Sequence, residues 1–221
     1  MEKFFIEIGS ADMDTCIPLA ENGWKVIIVE PVKAYLQNLK RIDGVVYENI
    51  GISGDGANHE ITYLDLNYYT RKGWMSQHEQ EPHVDIHAWV GEHSQDSDDE
   101  DYEISGTIWA RGLGSMVTTQ SIDDVIKQFP SLQKDVRTKN IETLTLNELL
   151  DKHSVMKIDF LKMDVEGMEY DIISNYDWVL KPSMMKIEYH HFGDKHFEIL
   201  DLFNSLGYKY WIEKSDVYAI L

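Results

Sequence analysis

A chain of 221 residues that is 43% hydrophobic and 11% aromatic can bury one sizeable core, and its composition is that of a globular protein, not a disordered one. Its formal net charge of -19 argues against nucleic acid and anionic membrane surfaces as partners, since both would repel it. One cysteine, Cys16, leaves no internal disulfide, no run approaches the ~20 apolar residues of a membrane span, and Met1 to Glu7 has no signal-peptide character, so a cytoplasmic location is expected.

The chain opens on an apolar run, Phe4 to Ile8, that ends at Gly9. A polar turn follows (Gly9, Ser10, Ala11, Asp12), then a helical stretch from Met13 to Asn22 that Gly23 closes in the left-handed region. A second apolar run, Val26 to Val29, stops at Glu30. The pattern is one βαβ unit. Gly9 lets backbone approach a ligand closely, and Glu30, about twenty residues past the turn, can take both hydroxyls of a ribose. The dinucleotide fingerprint G-x-G-x-x-G falls here on Gly9, Ala11 and Asp14, so two of its glycines are missing. Asp12 and Asp14 would also repel a pyrophosphate. A cofactor with a ribose, no phosphate and a cationic end fits better, and S-adenosylmethionine is such a molecule. The plainer reading is that any parallel α/β protein begins this way. Cys16 reads as a small buried hydrophobe.

Val32 to Arg41 carries apolar residues at helical spacing, and Val45 to Tyr47 is a third strand. Asn49, Gly51, Ile52 and Ser53 then fall at a strand end, on the rim where an open parallel sheet binds its ligand. Ile61 to Leu64 reads as a further, antiparallel strand with a packing role. Asp65 to Gln120 is irregular, and a loop of that length is usually functional or disordered. It holds the acid run Asp96 to Asp101, which lacks the glycine of a calcium loop and reads as solvated. His83 and His87 have helical metal-ligand spacing but no glutamate partner, and surface histidines are the better reading. Ile104 to Trp109 reads as strand, and Arg111 to Met116 as a turn.

Ser121 to Phe129 is expected to be helical up to Pro130, Asn140 to Leu144 a short strand, and Leu146 to Leu150 a helix capped by Thr145. Ile158 to Met163 is a buried strand that ends in Asp164, on the same rim as Gly9 and Glu30, before a helix from Met168 to Ser174. Met184 to Tyr189 is the next strand, followed by His190 and His191. A helix containing Phe197 to Leu206 ends at Gly207, and Tyr208 to Glu213 with Val217 to Leu221 make a final hairpin. Strands alternating with helices and closing on an antiparallel pair predict an α/β sheet covered by helices on both faces.

In these residues the chain resembles the FkbM-like methyltransferases, class I S-adenosylmethionine-dependent enzymes that mostly methylate hydroxyl groups. Ile6 to Ser10 is similar to the family's glycine motif, Val29-Glu30-Pro31 to its ribose-binding acid, and Glu48 to Ser53 to its third block. Thr143 to Leu150 followed by Leu161 to Glu169 is the most distinctive match, and Ile187-Glu188 falls where the family has another acid. The resemblance implies a Rossmann-like class I methyltransferase fold, a mostly parallel seven-stranded sheet with a C-terminal antiparallel hairpin. It also implies a single domain over residues 1–221, with an irregular insertion at about 65–120 shaping the substrate site. S-adenosyl-L-methionine is the implied cofactor, held by Glu7, Gly9, Ser10, Asp12, Thr15, Glu30, Pro31, Asn49, Gly51, Ile52 and Asp164. Asp12 to Thr15 (DMDT) stands in place of the usual second glycine.

Methyl transfer to a hydroxyl needs positioning and the removal of a proton. Asp164, Glu166 and His190 are the catalytic candidates, with Glu188 and His191 next. Asp164 serves equally as base or as holder of the cofactor's ammonium group. Asp164 and Glu188 offer oxygen ligands of the kind magnesium takes, but no ligand set has diagnostic spacing and no metal is expected. The acceptor is expected to be a small molecule, sugar or glycan, and the aromatics of the insertion suit an oligomer interface. Two other readings stand beside this one: a non-catalytic cofactor-binding protein of the same fold, and a nicotinamide-dependent oxidoreductase.

Overall fold

The computed structural model describes residues 2–11, 16–65, 114–116, 120–128 and 130–221. The two leading apolar runs form strands β1 (Phe4–Ile8) and β2 (Lys25–Val29), each with its last four residues buried. Near-continuous burial is what a parallel strand covered on both faces requires. They pair in parallel, Ile6 beside Ile27 and Ile8 beside Val29. β3 (Val45–Glu48) adds to β2, and β9 (Phe160–Met163) and β10 (Met184–Glu188) build outward from the other side of β1, all parallel. The hairpin β11 (Lys209–Glu213) and β12 (Asp216–Ile220) closes that edge with antiparallel pairing. The seven-stranded order is β11-β12-β10-β9-β1-β2-β3, the mixed sheet that the sequence predicts.

Alternation along the strands sorts side chains to opposite faces. Ile6, Ile8, Ile27, Val29, Leu161 and Met163 enter one core, under helices α4 (Leu146–Lys152), α5 (Glu169–Asn175) and α6 (His196–Leu206). Phe5, Val26 and Ile28 enter the other, beside Cys16 at the start of α1 (Ile17–Glu21) and Leu36 of α2 (Lys33–Asn38). Phe5 stacks on Phe160 of the neighbouring strand at 4.8 Å. Cys16 is fully buried, as read from the sequence.

Local signals in the sequence mark the element ends. Thr145 and Glu148 form a reciprocal capping box at the start of α4. Gly207, at φ 95°, ends α6. The expected first helix, Met13 to Asn22, is described only as α1, because residues 12–15 lie outside the described residues. The strand expected over Asn140 to Leu144 divides at Glu142 into β7 (Val136–Ile141) and β8 (Thr143–Leu144). β8 pairs in parallel with β4 (Gly51–Ile52). Glycine permits that pairing: a Cβ on Gly51 would stand 2.8 Å from Ile141 Cδ1.

The chain divides into two compact units. The first, Met1–Ile61, Ser115–Thr118 and Lys139–Leu221, carries the seven-stranded sheet. The second comprises Thr62–Gly114 and Thr119–Thr138. Its described residues include α3 (Gln120–Gln128), which a 3-10 turn at Pro130–Asp135 follows, with Leu64 and Ile122 buried. β5 (His59–Leu64) lies between β6 (Gly114–Ser115) and β7 in a three-stranded sheet. His83, His87, the acid run and the expected strand at Ile104 to Trp109 lie outside the described residues. No helix among the described residues is long and apolar enough to cross a membrane.

Candidate active site

β1 leads outward to β2 and β3, and the chain then returns to lay β9 and β10 on the other side, so strand order reverses between β1 and β9. Parallel α/β sheets bind ligands outside the carboxyl ends of the strands at such a reversal. Gly9, Glu30, Asn49 and Asp164 immediately follow β1, β2, β3 and β9, and Glu188 ends β10. The five share one rim.

On the β1 side the turn is held tightly. Gly9 sits at φ +77°, donates its N–H to Val29 O at 3.0 Å, and a Cβ there would fall 1.7 Å from the Asp164 carbonyl oxygen. Ser10 is buried, its hydroxyl donating to Ala11 O. Glu30 is 4% exposed. Its Oε2 accepts the Ala11 N–H and its Oε1 the Val32 N–H, both at 2.7 Å. The acid read as a ribose ligand therefore also braces the glycine turn. Asn49 donates to the carbonyl oxygens of Glu30 (2.9 Å) and Pro31 (3.0 Å), and Pro31 is half-buried. Gly51 and Ile52 are buried in the β4–β8 pair, not in the row of rim residues that follow the large sheet's strands. Asp12 and Thr15 lie outside the described residues.

Glu7 is 0% exposed and pairs with Lys162 on β9, Oε1 to Nζ 2.7 Å. Burial works against the Lys162 charge, and Glu7 outweighs it, leaving the ammonium pKa raised. Burial and then Glu7 push the Cys16 thiol up. The sequence does not single out Lys162, although two opposite charges inside otherwise apolar strands are a signal for pairing.

On the β9 side the turn after Met163 carries Glu166 at φ +54° and Gly167 at φ +110°. Glu169, fully buried, pins it by accepting the N–H groups of Val165 (2.7 Å) and Gly167 (3.0 Å). Burial pushes the Glu169 carboxyl up to about 7, and those amide bonds hold back part of the rise. Glu166 Oε2 stands 3.3 Å from His191 Nε2, and Glu188 Oε1 stands 3.3 Å from His190 Nδ1. The two imidazole rings lie 3.8 Å apart. Burial, then the charges of Asp164 and Glu166, pushes Glu188 up to about 10, while burial also raises Asp164. The hydrogen bond to Glu166 raises His191, whereas burial and the neighbouring ring lower His190. Asp164, Glu166 and His190 thus lie in one cluster with Glu188 and His191, at separations that spacing along the chain did not reveal.

A parallel sheet of this order, covered by helices on both faces and closed by an antiparallel hairpin, with a glycine turn and a strand-end acid at its reversal, is a Rossmann-like methyltransferase fold. The chain belongs to the family described as Methyltransferase FkbM domain, which matches residues 7–210. No curated protein and no solved structure matches it.

Proposed function

We propose that the protein is an S-adenosylmethionine-dependent O-methyltransferase acting in the cytoplasm on a hydroxyl of a small molecule, sugar or glycan. The observation that carries this reading is the rim itself: a glycine turn braced by Glu30 on one side of the reversal, and a carboxylate–imidazole cluster on the other. The residues fit the cofactor. Glu30 follows β2 on the rim beside the glycine turn, where a strand-end carboxylate takes ribose hydroxyls. Asn49 fixes the backbone on which Glu30 stands. The cofactor, when bound, supplies an electrophilic methyl group on a sulfonium.

Removal of the acceptor's proton falls to this chain. His190 is 49% exposed in its side chain, and burial with the adjacent ring lowers its pKa, so it is neutral at pH 7 and able to accept a proton. Glu188 orients that ring through Nδ1. Asp164 takes the cofactor's ammonium or shares the basic role, and Glu166 positions His191. The net charge of -19 supports an acceptor that is neither nucleic acid nor an anionic membrane surface, and a single cysteine suits a reducing compartment.

Calorimetric titration with S-adenosylmethionine, S-adenosylhomocysteine and NAD tests this on wild type, Glu30→Gln and His190→Ala. Binding of the two adenosyl-sulfur ligands is expected, weakened at least tenfold in Glu30→Gln and retained in His190→Ala. Turnover on an accepted hydroxyl should fall by about 10²–10⁴-fold in His190→Ala. Binding of NAD alone would sink the reading. Cofactor binding without methyl transfer to any hydroxyl acceptor would favour a non-catalytic binding protein.

A further inference from the structure

We propose that β11, the edge strand of the large sheet, pairs in antiparallel register with β11 of a second copy of this chain, about a twofold axis at Trp211. Among the described residues β11 has one neighbour, β12, and it ends the strand order. An open edge carries backbone N–H and C=O groups ready to pair with another chain. Apolar side chains gather on this one. Trp211 is 44% and Ile212 42% exposed, and Ile220 and Leu221 lie exposed at the end of β12. The Trp211 ring is held by stacking on Tyr218 across the hairpin, at 5.1 Å and 7°.

The backbone selects a register. Ser215 O accepts the Tyr189 N–H and Leu221 donates to Ser183 O, so the odd-numbered residues of β12 turn towards β10. Hydrogen-bonding direction alternates along an antiparallel strand, so Asp216, Tyr218 and Ile220 turn towards β11. Their partners there are Glu213, Trp211 and Lys209, whose groups are spent within the hairpin. Tyr210 and Ile212 therefore turn outward. One antiparallel register uses both in each copy: Tyr210 exchanges hydrogen bonds with Ile212 of the second copy, and Ile212 with its Tyr210. Trp211 then stands opposite Trp211.

The side chains select the same register. With Trp211 on the axis, Lys209 of each copy faces Glu213 of the other, on both sides of the indole pair. Antiparallel pairs without hydrogen bonds have their Cα atoms about 4.5 Å apart and their side chains closest. Aromatic pairs and opposite charges are the facing residues that stabilise a sheet. A slip of two residues in either direction sets one charge against Trp211 and carries the other past the end of the strand. Chains of net charge -19 repel one another, which favours contact where opposite charges meet. Charges on an edge strand otherwise serve to guard it against pairing, and a guard is indifferent to the sign of what faces it. The axis reverses the second sheet, so the two rims open at opposite ends and each copy keeps its own candidate site.

Sedimentation equilibrium of the whole chain over a wide concentration range tests this. Wild type is expected to show a monomer–dimer equilibrium with a Kd in the micromolar range or tighter. Lys209→Glu and Glu213→Lys, both at exposed positions, each place like charges opposite one another and should each weaken self-association at least tenfold. An equimolar mixture of the two variants restores opposite charges at both ends and should form a heterodimer of near wild-type affinity. That recovery also shows both variants folded. A wild type that stays monomeric throughout, a dimer as tight in either variant alone, or a mixture that stays monomeric would overturn the proposal.

Discussion

Replacing Gly9 by alanine probes the point where the two halves of the rim touch. Gly9 stands at φ +77°, and its added Cβ would lie 1.7 Å from the Asp164 carbonyl oxygen, an atom of backbone that cannot rotate aside. Two costs follow. A left-handed residue with a Cβ loses about 1–2 kcal/mol, and forcing strand ends apart in a packed core costs about 1–3 kcal/mol. The structure supplies the control. Gly23 and Gly44 have nearly the same backbone angle, φ +83° and +85°, with nothing within 4 Å of the added carbon. Gly23→Ala and Gly44→Ala therefore carry the conformational cost alone, and the gain from stiffening the unfolded chain is common to all three. Urea unfolding with a shared m-value should rank Gly9→Ala below both controls by about 1–3 kcal/mol. For a chain of this size each kcal/mol is worth about 2–4 °C in Tm. A Gly9→Ala protein as stable as Gly23→Ala would refute the close approach of the β1 turn to Asp164.

Lys162→Met removes the cation beside the fully buried Glu7 and should cost about 3–5 kcal/mol, most of it recovered in the Glu7→Gln/Lys162→Met double variant; a double variant no better than the single one contradicts the pairing. Thr145→Ala breaks the capping box of α4 and should lower stability by about 1 kcal/mol, a loss that denaturant melts resolve. Glu169 supplies a pH signature. Its folded pKa of about 7 lies above the ordinary 4.5, so the folded state keeps a proton that the unfolded chain gives up. Its contribution is full below about pH 4.5 and falls as pH rises through about 7, by roughly 3 kcal/mol in all. The stability difference between wild type and Glu169→Gln should shrink by that order over this window, and a pH-independent difference would show that Glu169 ionises normally.

The early part of the fold was legible because its signals are local. Apolar runs ending at Gly9 and Glu30 and the left-handed Gly23 each declare themselves within a few residues, as does the Thr145 cap later in the chain. The β4–β8 pairing was not legible, since two-residue strands are too short to show a period and the contact depends on a missing side chain at Gly51. The site was legible as a list but not as an arrangement. Asp164 and Glu166 come from the end of β9 and Glu188 to His191 from the end of β10, and parallel pairing of Lys162 with Lys186 brings them together. Nor could spacing reveal that Glu166 would take a left-handed backbone or that Glu30 would accept two amides.

The bracing role of Glu30 bears on how such a protein can change over generations. Because the carboxylate closes the turn through Ala11 and Val32, a substitution there carries a cost in stability besides any effect on ligand recognition. An acid kept for that bracing would persist in a lineage that abandoned the proposed methyl transfer. The half-exposed His190, which braces nothing comparable in the fold, has no such protection, and under the proposed mechanism its loss would be the earlier sign that a descendant had ceased to be an enzyme.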